Sequence, residues 1–440
     1  MNPIAIELNE KINKSNPALL DMLSDLGKEL FFPKGILTQT AEAKQHAKKF
    51  NATIGIAKEN GKAMYLPSLM KYFNNLDIDD ITPYAPSPGQ PKLREIWKEH
   101  IFDKNNELDK KMKISLPVVT NGITHGLSII AEMFVNPGDV IIIPDKIWGN
   151  YRLTYVTRYK AVFKHFPLFN EKNCFNTAGF EEVVKETKKT KNKVIVLLNF
   201  PNNPIGYSPT KTEAAQIADI LLKYASPEYN IITVLDDAYF GLFFDDAVYT
   251  NSMFSKLAGK SENLLAIKLD AATKEDYVWG FRCGFITYSI KCGNCEELND
   301  ALEKKTGGCI RGNISNCSNI AQSVMTRLLQ DKGVYLKEKE EKFTLLKNRA
   351  EKVKKVLSNP KYSERWTMYP FNSGYFMCVK LRGINSEAYR KFLLHQYGVG
   401  VISPNDTDIR IAFSAVDEKD IEELFDVMSQ AASEFSKKAK

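Results

Sequence analysis

Six short runs rich in Val, Ile and Leu punctuate the middle of the chain. They are ISLPVVTNG from residue 114, DVIIIPD from 139, KVIVLLNFP from 193, NIITVLDDAY from 230, NLLAIKLDA from 263 and GFITYSI from 284. Gly, Pro, Asn or Asp stand at or just after their ends. Between them, segments such as THGLSIIAEMF and TEAAQIADILLKYA repeat apolar side chains at helical spacing. Runs that are continuously apolar suit strands buried on both faces, so the alternation predicts an α/β fold with a mostly parallel sheet flanked by helices. Residues 16–30 (NPALLDMLSDLGKEL) predict one amphipathic helix, followed by a polar, weakly structured stretch. From 334 to 357 a charged helix leads into WTMYPFNSGYFMCVKL, GVGVISPN, DIRIAFSAV and a last amphipathic helix, DEKDIEELFDVMSQAASEF. That texture predicts a smaller α+β unit. The terminal SKKAK reads as a solvated end.

Composition narrows the class without choosing a chemistry. A chain of 440 residues predicts two or three domains, and 44% apolar with 26% charged residues is the balance of a globular protein. The net charge of +7 comes from 60 basic and 53 acidic residues in mixed-sign stretches, so no nucleic-acid footprint is expected. Seven cysteines without framework spacing suggest a reducing, cytoplasmic setting. Cys292 and Cys295 form a C-x-x-C with no second pair or His cluster nearby, which reads as an ordinary turn, and no metal is expected. The N-terminal stretch has early acidic residues and no apolar run before small ones, so no secretory signal is expected. No run approaches ~18 apolar residues, so no membrane span is expected either.

In open parallel sheets a ligand sits beyond the carboxyl ends of the strands, and the residues there are polar and specific. TNGITHGL places Gly122 and Thr124 before a helix, an arrangement that suits an oxyanion or equally an N-cap beside a turn glycine. Trp148 follows a strand end, as a flat ligand-facing side chain or a core one. PNNPIG fixes a rigid loop that leaves Asn203 able to donate. Asp236 and Tyr239 lie three apart at another strand exit, with Asp237 expected on the opposite face. Lys274, in a loop of small residues, is placed to be partly desolvated, which lowers an amine's pKa and makes it a nucleophile and base. Arg282 follows eight residues on.

In that order, G-x-T, W-G-N, NNPxG, D-x-A-Y and K with R eight on, the chain resembles the class I aminotransferases, the aspartate and aromatic branch in particular. The resemblance runs from about residue 50 to 414. It takes in NATIGIAKENGKAMYLPSL with Gly55, and YAPSPGQPKLR with Tyr84 and Gly89. It implies fold type I of the pyridoxal 5'-phosphate enzymes, with 1–62 as an arm and part of a small domain, 63–343 as the large domain and 344–440 as the rest of the small one. It further implies that Lys274 carries the cofactor as an imine and shuttles the proton, with Asp236 on the ring nitrogen. Asn203 and Tyr239 would bond the ring's phenolic oxygen, and Trp148 would stack on its face. The phosphate would meet Arg282, the backbone at Ile123 and Thr124, and Tyr84 from a partner subunit, which makes a homodimer the expected assembly. Arg410 would fork onto the substrate's α-carboxylate. Arg311, in IRGNISN, would reach the side-chain carboxylate of an acidic substrate in the neighbouring subunit.

The expected reaction is a ping-pong transfer of an amino group between an aspartate, glutamate or aromatic amino acid and a 2-oxo acid such as 2-oxoglutarate. The same lysine would serve a lyase, decarboxylase or synthase on this scaffold. An amino-acid-sensing regulator is not expected, because it needs a DNA-binding domain and the N-terminal arm has neither the length nor a basic recognition helix for one, and a nicotinamide oxidoreductase is not expected without G-x-G-x-x-G after the first sheet strand. Three features depart from the family pattern, one being that two aspartates precede Ala238, of which Asp236 is taken because it lies three before Tyr239. Ala271 stands where a phosphate-contacting serine is usual, so that one contact is either missing or replaced by Thr273. Tyr151 stands where a histidine usually supports the ring-pairing aspartate. Beside these three, the flanks of Arg311, GGC and NCSN, are unusual.

Overall fold

A computed structural model describes residues 1–33 and 35–438; residues 439–440 of the expected solvated tail lie outside the described residues. All six apolar runs form strands of one seven-stranded sheet. In chain order these are β1 (Val118–Thr120), β2 (Val140–Pro144), β3 (Val162–Phe166), β4 (Lys193–Asn199), β5 (Asn230–Asp236), β6 (Leu264–Ala271) and β7 (Gly284–Ser289). Their spatial order is β1-β7-β6-β5-β4-β2-β3. β7 runs antiparallel to β1 and β6, and the remaining pairs are parallel. β3 was not foreseen. It lies at the sheet edge, where Lys164 and His165 can sit in a half-exposed strand, and so its sequence has no continuous apolar run. The central strands are buried on both faces, as their uninterrupted Val, Ile and Leu require.

Two expectations for the N-terminal region need correction. Residues 16–30 do not form one helix. The region folds as α1 (Pro3–Ser15), α2 (Pro17–Met22) and α3 (Asp25–Glu29), because Leu23 is extended and the Ser24 hydroxyl, accepting from the Gly27 N–H, caps a new start at Asp25. The stretch read as weakly structured contains α4 (Ile36–His46), which is held by the C-terminal unit, through a loop residue and the helix Ser386–Tyr397. Gln39 exchanges hydrogen bonds with Ser403, and Glu42 accepts from Arg390. The chain then pairs Phe50–Asn51 in parallel with Val399–Gly400, joining the N-terminal segment to the C-terminal unit. That unit carries a three-stranded antiparallel sheet of β8 (Trp366–Met368), β9 (Met377–Leu381) and β10 (Asp408–Ile411). A single helix, Lys332–Leu357, crosses the expected boundary at 343/344 without a break. Among the described residues no helix is long and apolar enough to cross a membrane. Cys292 and Cys295, expected to mark an ordinary turn, form a disulfide: the turn capped by Asn294 before the helix Cys295–Asn313 brings their Cα atoms to 5.5 Å.

Candidate active site

Sheet register sets the site. β4 and β5 pair so that Asn199 lies opposite Asp236, and β5 pairs with β6 so that Asp236 lies opposite Leu269, two residues before the strand's end at Ala271. Asn199, Asp236 and Ala271 therefore open together onto a cavity of 260 Å³. β1 delivers the start of the helix Ile123–Phe134 to the same cavity, and the segment after β2 delivers Trp148 and Tyr151. Gly55, Phe376 and Arg410 close it from the side of the smaller sheet. Ten of the expected residues, Gly55, Ile123, Thr124, Trp148, Asn203, Asp236, Tyr239, Lys274, Arg282 and Arg410, line this one cavity.

At its floor the Asp236 carboxylate is buried. Its Oδ2 accepts from the Tyr151 hydroxyl at 2.6 Å and its Oδ1 from the Ala238 N–H at 3.1 Å. Burial pushes its pKa up, and the Tyr151 bond, the Lys274 charge and the Ala238 N–H hold the rise back. Asp237 turns to the other face, where it pairs with the buried Lys268 and accepts from Ser252 at 2.6 Å. Lys274 sits in a single helical turn, and its backbone carbonyl accepts from the Tyr375 hydroxyl at 2.9 Å. Its amine lies 4.8 Å from the centre of the Tyr239 ring. Burial, opposed by Asp236 and aided by the Arg282 cation, lowers that amine to about 8. The Tyr239 phenol is raised by burial, against the pull of Arg410 and an Asn203 bond, so it remains a proton donor across the working range.

The opposite end of the cavity is built for an anion. Gly122 has φ +78°, and a Cβ there would stand 2.4 Å from Nη2 of Arg282, so only glycine lets the guanidinium close on the helix start. Arg282 itself is left-handed at φ 53°. A fixed cation beside free N–H groups at the start of a twelve-residue helix is an oxyanion cradle. The Thr273 hydroxyl is buried on this cavity without a partner, while Ala271 offers no hydroxyl. An anion-binding end, a desolvated amine and a buried carboxylate beyond it fit a phosphorylated aldehyde with a ring nitrogen, which is pyridoxal 5'-phosphate.

Arg410 forms the third charged wall. Nη1 donates to Asn203 Oδ1 at 3.1 Å and Nη2 to the Thr53 carbonyl at 2.7 Å, and the Nε–H has no partner. The guanidinium lies over the Phe376 ring at 4.1 Å. Two expected residues are elsewhere. Tyr84 is 89% exposed, and Arg311 sits exposed at the end of the helix Cys295–Asn313, donating to Ser315 at 2.6 Å. Neither lines the cavity of its own chain. Both were expected to act on a neighbouring copy.

Other residues were missed. Asn199 accepts from the Asn203 N–H at 2.8 Å and donates to the Asp236 carbonyl at 2.9 Å, tying two site-bearing strands together. The strand-end rule, applied at the last residue of the run instead of after it, would have found it. Phe376 and the α4 residues Ile36 and Leu37 also line the cavity. Their signal is absent from local sequence, because long-range packing brings them there.

The class I and II aminotransferase profile matches residues 47–428. An aspartate aminotransferase of Pyrococcus horikoshii is 30% identical over 206 residues, 47% of this chain and 48% of the relative. A second, from a Bacillus species, is 28% identical over 269 residues, 61% of this chain and 63% of its own length. The aligned part thus spans between about half and two thirds of these relatives. The crystal structure of an aminotransferase from Anaerococcus prevotii superposes with a TM-score of 0.83 at 24% identity, covering 93% of this chain and 99% of the other. The profile match runs through every strand of the large sheet and every cavity wall but α4, and on that ground the chain belongs to the class I and II aminotransferase family.

Proposed function

We propose that the protein is a pyridoxal-phosphate-dependent aminotransferase that moves an amino group from an amino acid to a 2-oxo acid by a ping-pong mechanism, working as a homodimer. The observation that carries this reading is one cavity holding an amine lowered to about 8 between a buried carboxylate and an arginine at a helix start. When bound, the cofactor supplies an aldehyde for the amine and a ring that accepts electrons from the substrate's α-carbon. Lys274 is the tether and, once released, the base that takes and returns the α-proton; a lowered pKa lets it do both near neutrality. Asp236 holds a proton on the ring nitrogen by staying anionic. Tyr239 and Asn203 offer donors to the ring's phenolic oxygen, and Trp148 excludes water from one face.

Arg282, the Ile123 and Thr124 backbone and Thr273 grip the phosphate, with Tyr84 added from the partner copy. Arg410 is oriented by Asn203, Thr53 and Phe376, so that its remaining N–H groups present a fork to the α-carboxylate. Arg311, reaching from the partner copy, selects acidic side chains. The test is a set of amino donors with 2-oxoglutarate, comparing wild type with Arg311→Ala. Glutamate alone should convert the bound cofactor stoichiometrically to its amine form, visible as an absorbance shift, and a lyase or decarboxylase would not give that conversion. Loss confined to acidic donors supports the role of Arg311; equal loss across donors, or none, removes it.

A further inference from the structure

The turn that carries Lys274 is too short to hold itself. It runs from Ala272 to Glu275 and is closed by the Asp276 N–H, which donates to the Ala272 carbonyl at 2.8 Å. A single turn leaves its later carbonyls without helical partners, and a buried carbonyl must find one elsewhere. Behind the turn, the buried Glu275 carboxylate is fixed by Lys104 at 2.8 Å and Lys339 at 3.2 Å. At Lys274 the partner is the Tyr375 hydroxyl, 2.9 Å from the carbonyl oxygen. Tyr375 is fully buried, and its ring meets Tyr239 edge-on at 5.4 Å, the same ring over which the Lys274 amine lies.

Tyr375 reaches the turn from the smaller unit. Just before it, Asn372 exchanges hydrogen bonds with Ser208 at 2.8 and 2.9 Å, and the Gly374 N–H donates to the Leu242 carbonyl at 2.8 Å. Just after it, β9 begins at Met377 and pairs Cys378 with Arg410. The stretch 375–378 therefore joins the lysine turn to the arginine expected at the substrate's carboxylate.

We propose that Tyr375 is a positioning residue that fixes the backbone of the Lys274 turn and so sets where the Lys274 amine stands relative to Arg410. This rests on the pyridoxal-phosphate reading above. A substrate whose carboxylate is held by Arg410 presents its α-proton at one place, and the amine must stand there to take it. The bond that keeps it there does not depend on pH: burial, with Tyr277, Tyr239 and Asp276 nearby, holds the Tyr375 phenol protonated far above the working range. Without the hydroxyl, the Lys274 carbonyl is buried and unpaired. The turn then relaxes toward another donor or water, and the amine moves out of line.

The experiment compares wild type, Tyr375→Phe and Tyr389→Phe. Tyr389 is the matched control: it is equally buried, and its hydroxyl donates to a backbone carbonyl, that of Met428, at 2.7 Å and away from the cavity. Both variants should lower the denaturation midpoint, since each leaves one buried carbonyl unpaired. Tyr375→Phe alone should lower kcat by about tenfold while KM for the amino donor stays within about twofold, because Arg410 keeps its own partners. It should also slow the capture of pyridoxal 5'-phosphate by apoprotein and move the pH midpoint of that capture upward by about half a unit, because a loosened amine meets more water. The groups facing the amine, Asp236, Arg282 and Tyr239, are unchanged in the variant, so the shift reports its position. If Tyr375→Phe loses stability but keeps wild-type kcat and capture, or if Tyr389→Phe slows capture as much, the proposal is overturned. If wild type itself captures no cofactor, the failure belongs to the functional reading instead.

Discussion

An amine attacks a carbonyl only when neutral, and that makes the Lys274 environment measurable. Burial disfavours its charged form and the nearby Arg282 adds to the effect, so the neutral fraction grows as pH rises toward about 8 and saturates above it. Cofactor capture by apoprotein, followed by stopped-flow absorbance, should accelerate about tenfold per pH unit below that value and level off beyond it. Lys274→Ala should abolish covalent attachment, seen as loss of the borohydride-trapped adduct by mass spectrometry. Arg410 is already held at two of its nitrogens and presents a planar fork. Arg410→Lys keeps the charge but not the fork, so KM for amino-acid substrates should rise by roughly one to two orders of magnitude in steady-state assays. Such residue types could be picked out before the fold was known because strand ends mark them. The partners could not: Thr53 reaches Arg410 from 357 residues away in sequence.

Elements carry the site through two joints. The first is the contact between the loop at 202–206 and the segment before β9. Gly206 has φ +79°, and a Cβ there would lie 1.9 Å from the Phe376 carbonyl oxygen. Since backbone cannot yield as a side-chain tip can, Gly206→Ala should lower unfolding free energy by about 2 kcal/mol or more, read as the midpoint of a denaturant titration. The second joint lies beneath the sheet. Lys268, fully buried on β6, pairs with Asp237 and with Asp270 at 3.0 Å. Lys268→Met would leave the buried Asp237 carboxylate without its cation and Asp270 with only the Lys104 amine at 3.7 Å, a loss of about 3–5 kcal/mol in the same titration. The run LLAIKLDA reads as a strand from its apolar residues alone. That its lysine points inward was hidden, because a buried charge becomes tolerable only through an acid at the end of another strand, Asp237, acting with Asp270 two residues on in its own.

At the scale of the whole molecule, Tyr84 stands 89% exposed on a single chain although the resemblance assigns it to a phosphate. The proposed homodimer accounts for that exposure. Sedimentation should report twice the 49.9 kDa chain mass, and dilution that dissociates the dimer should release cofactor in parallel. The apolar runs by themselves determined which segments became six of the seven strands, since burial on both faces leaves no other use for an unbroken Val, Ile and Leu run. The ordered polar motifs at their ends likewise determined the family. Only the tertiary structure decided that α4 forms a wall of the cavity, that β3 completes the sheet, and that Asn199 and Phe376 complete the site. Those features depend on partners far along the chain. A local pattern records what a segment must bury, not which distant surface buries it.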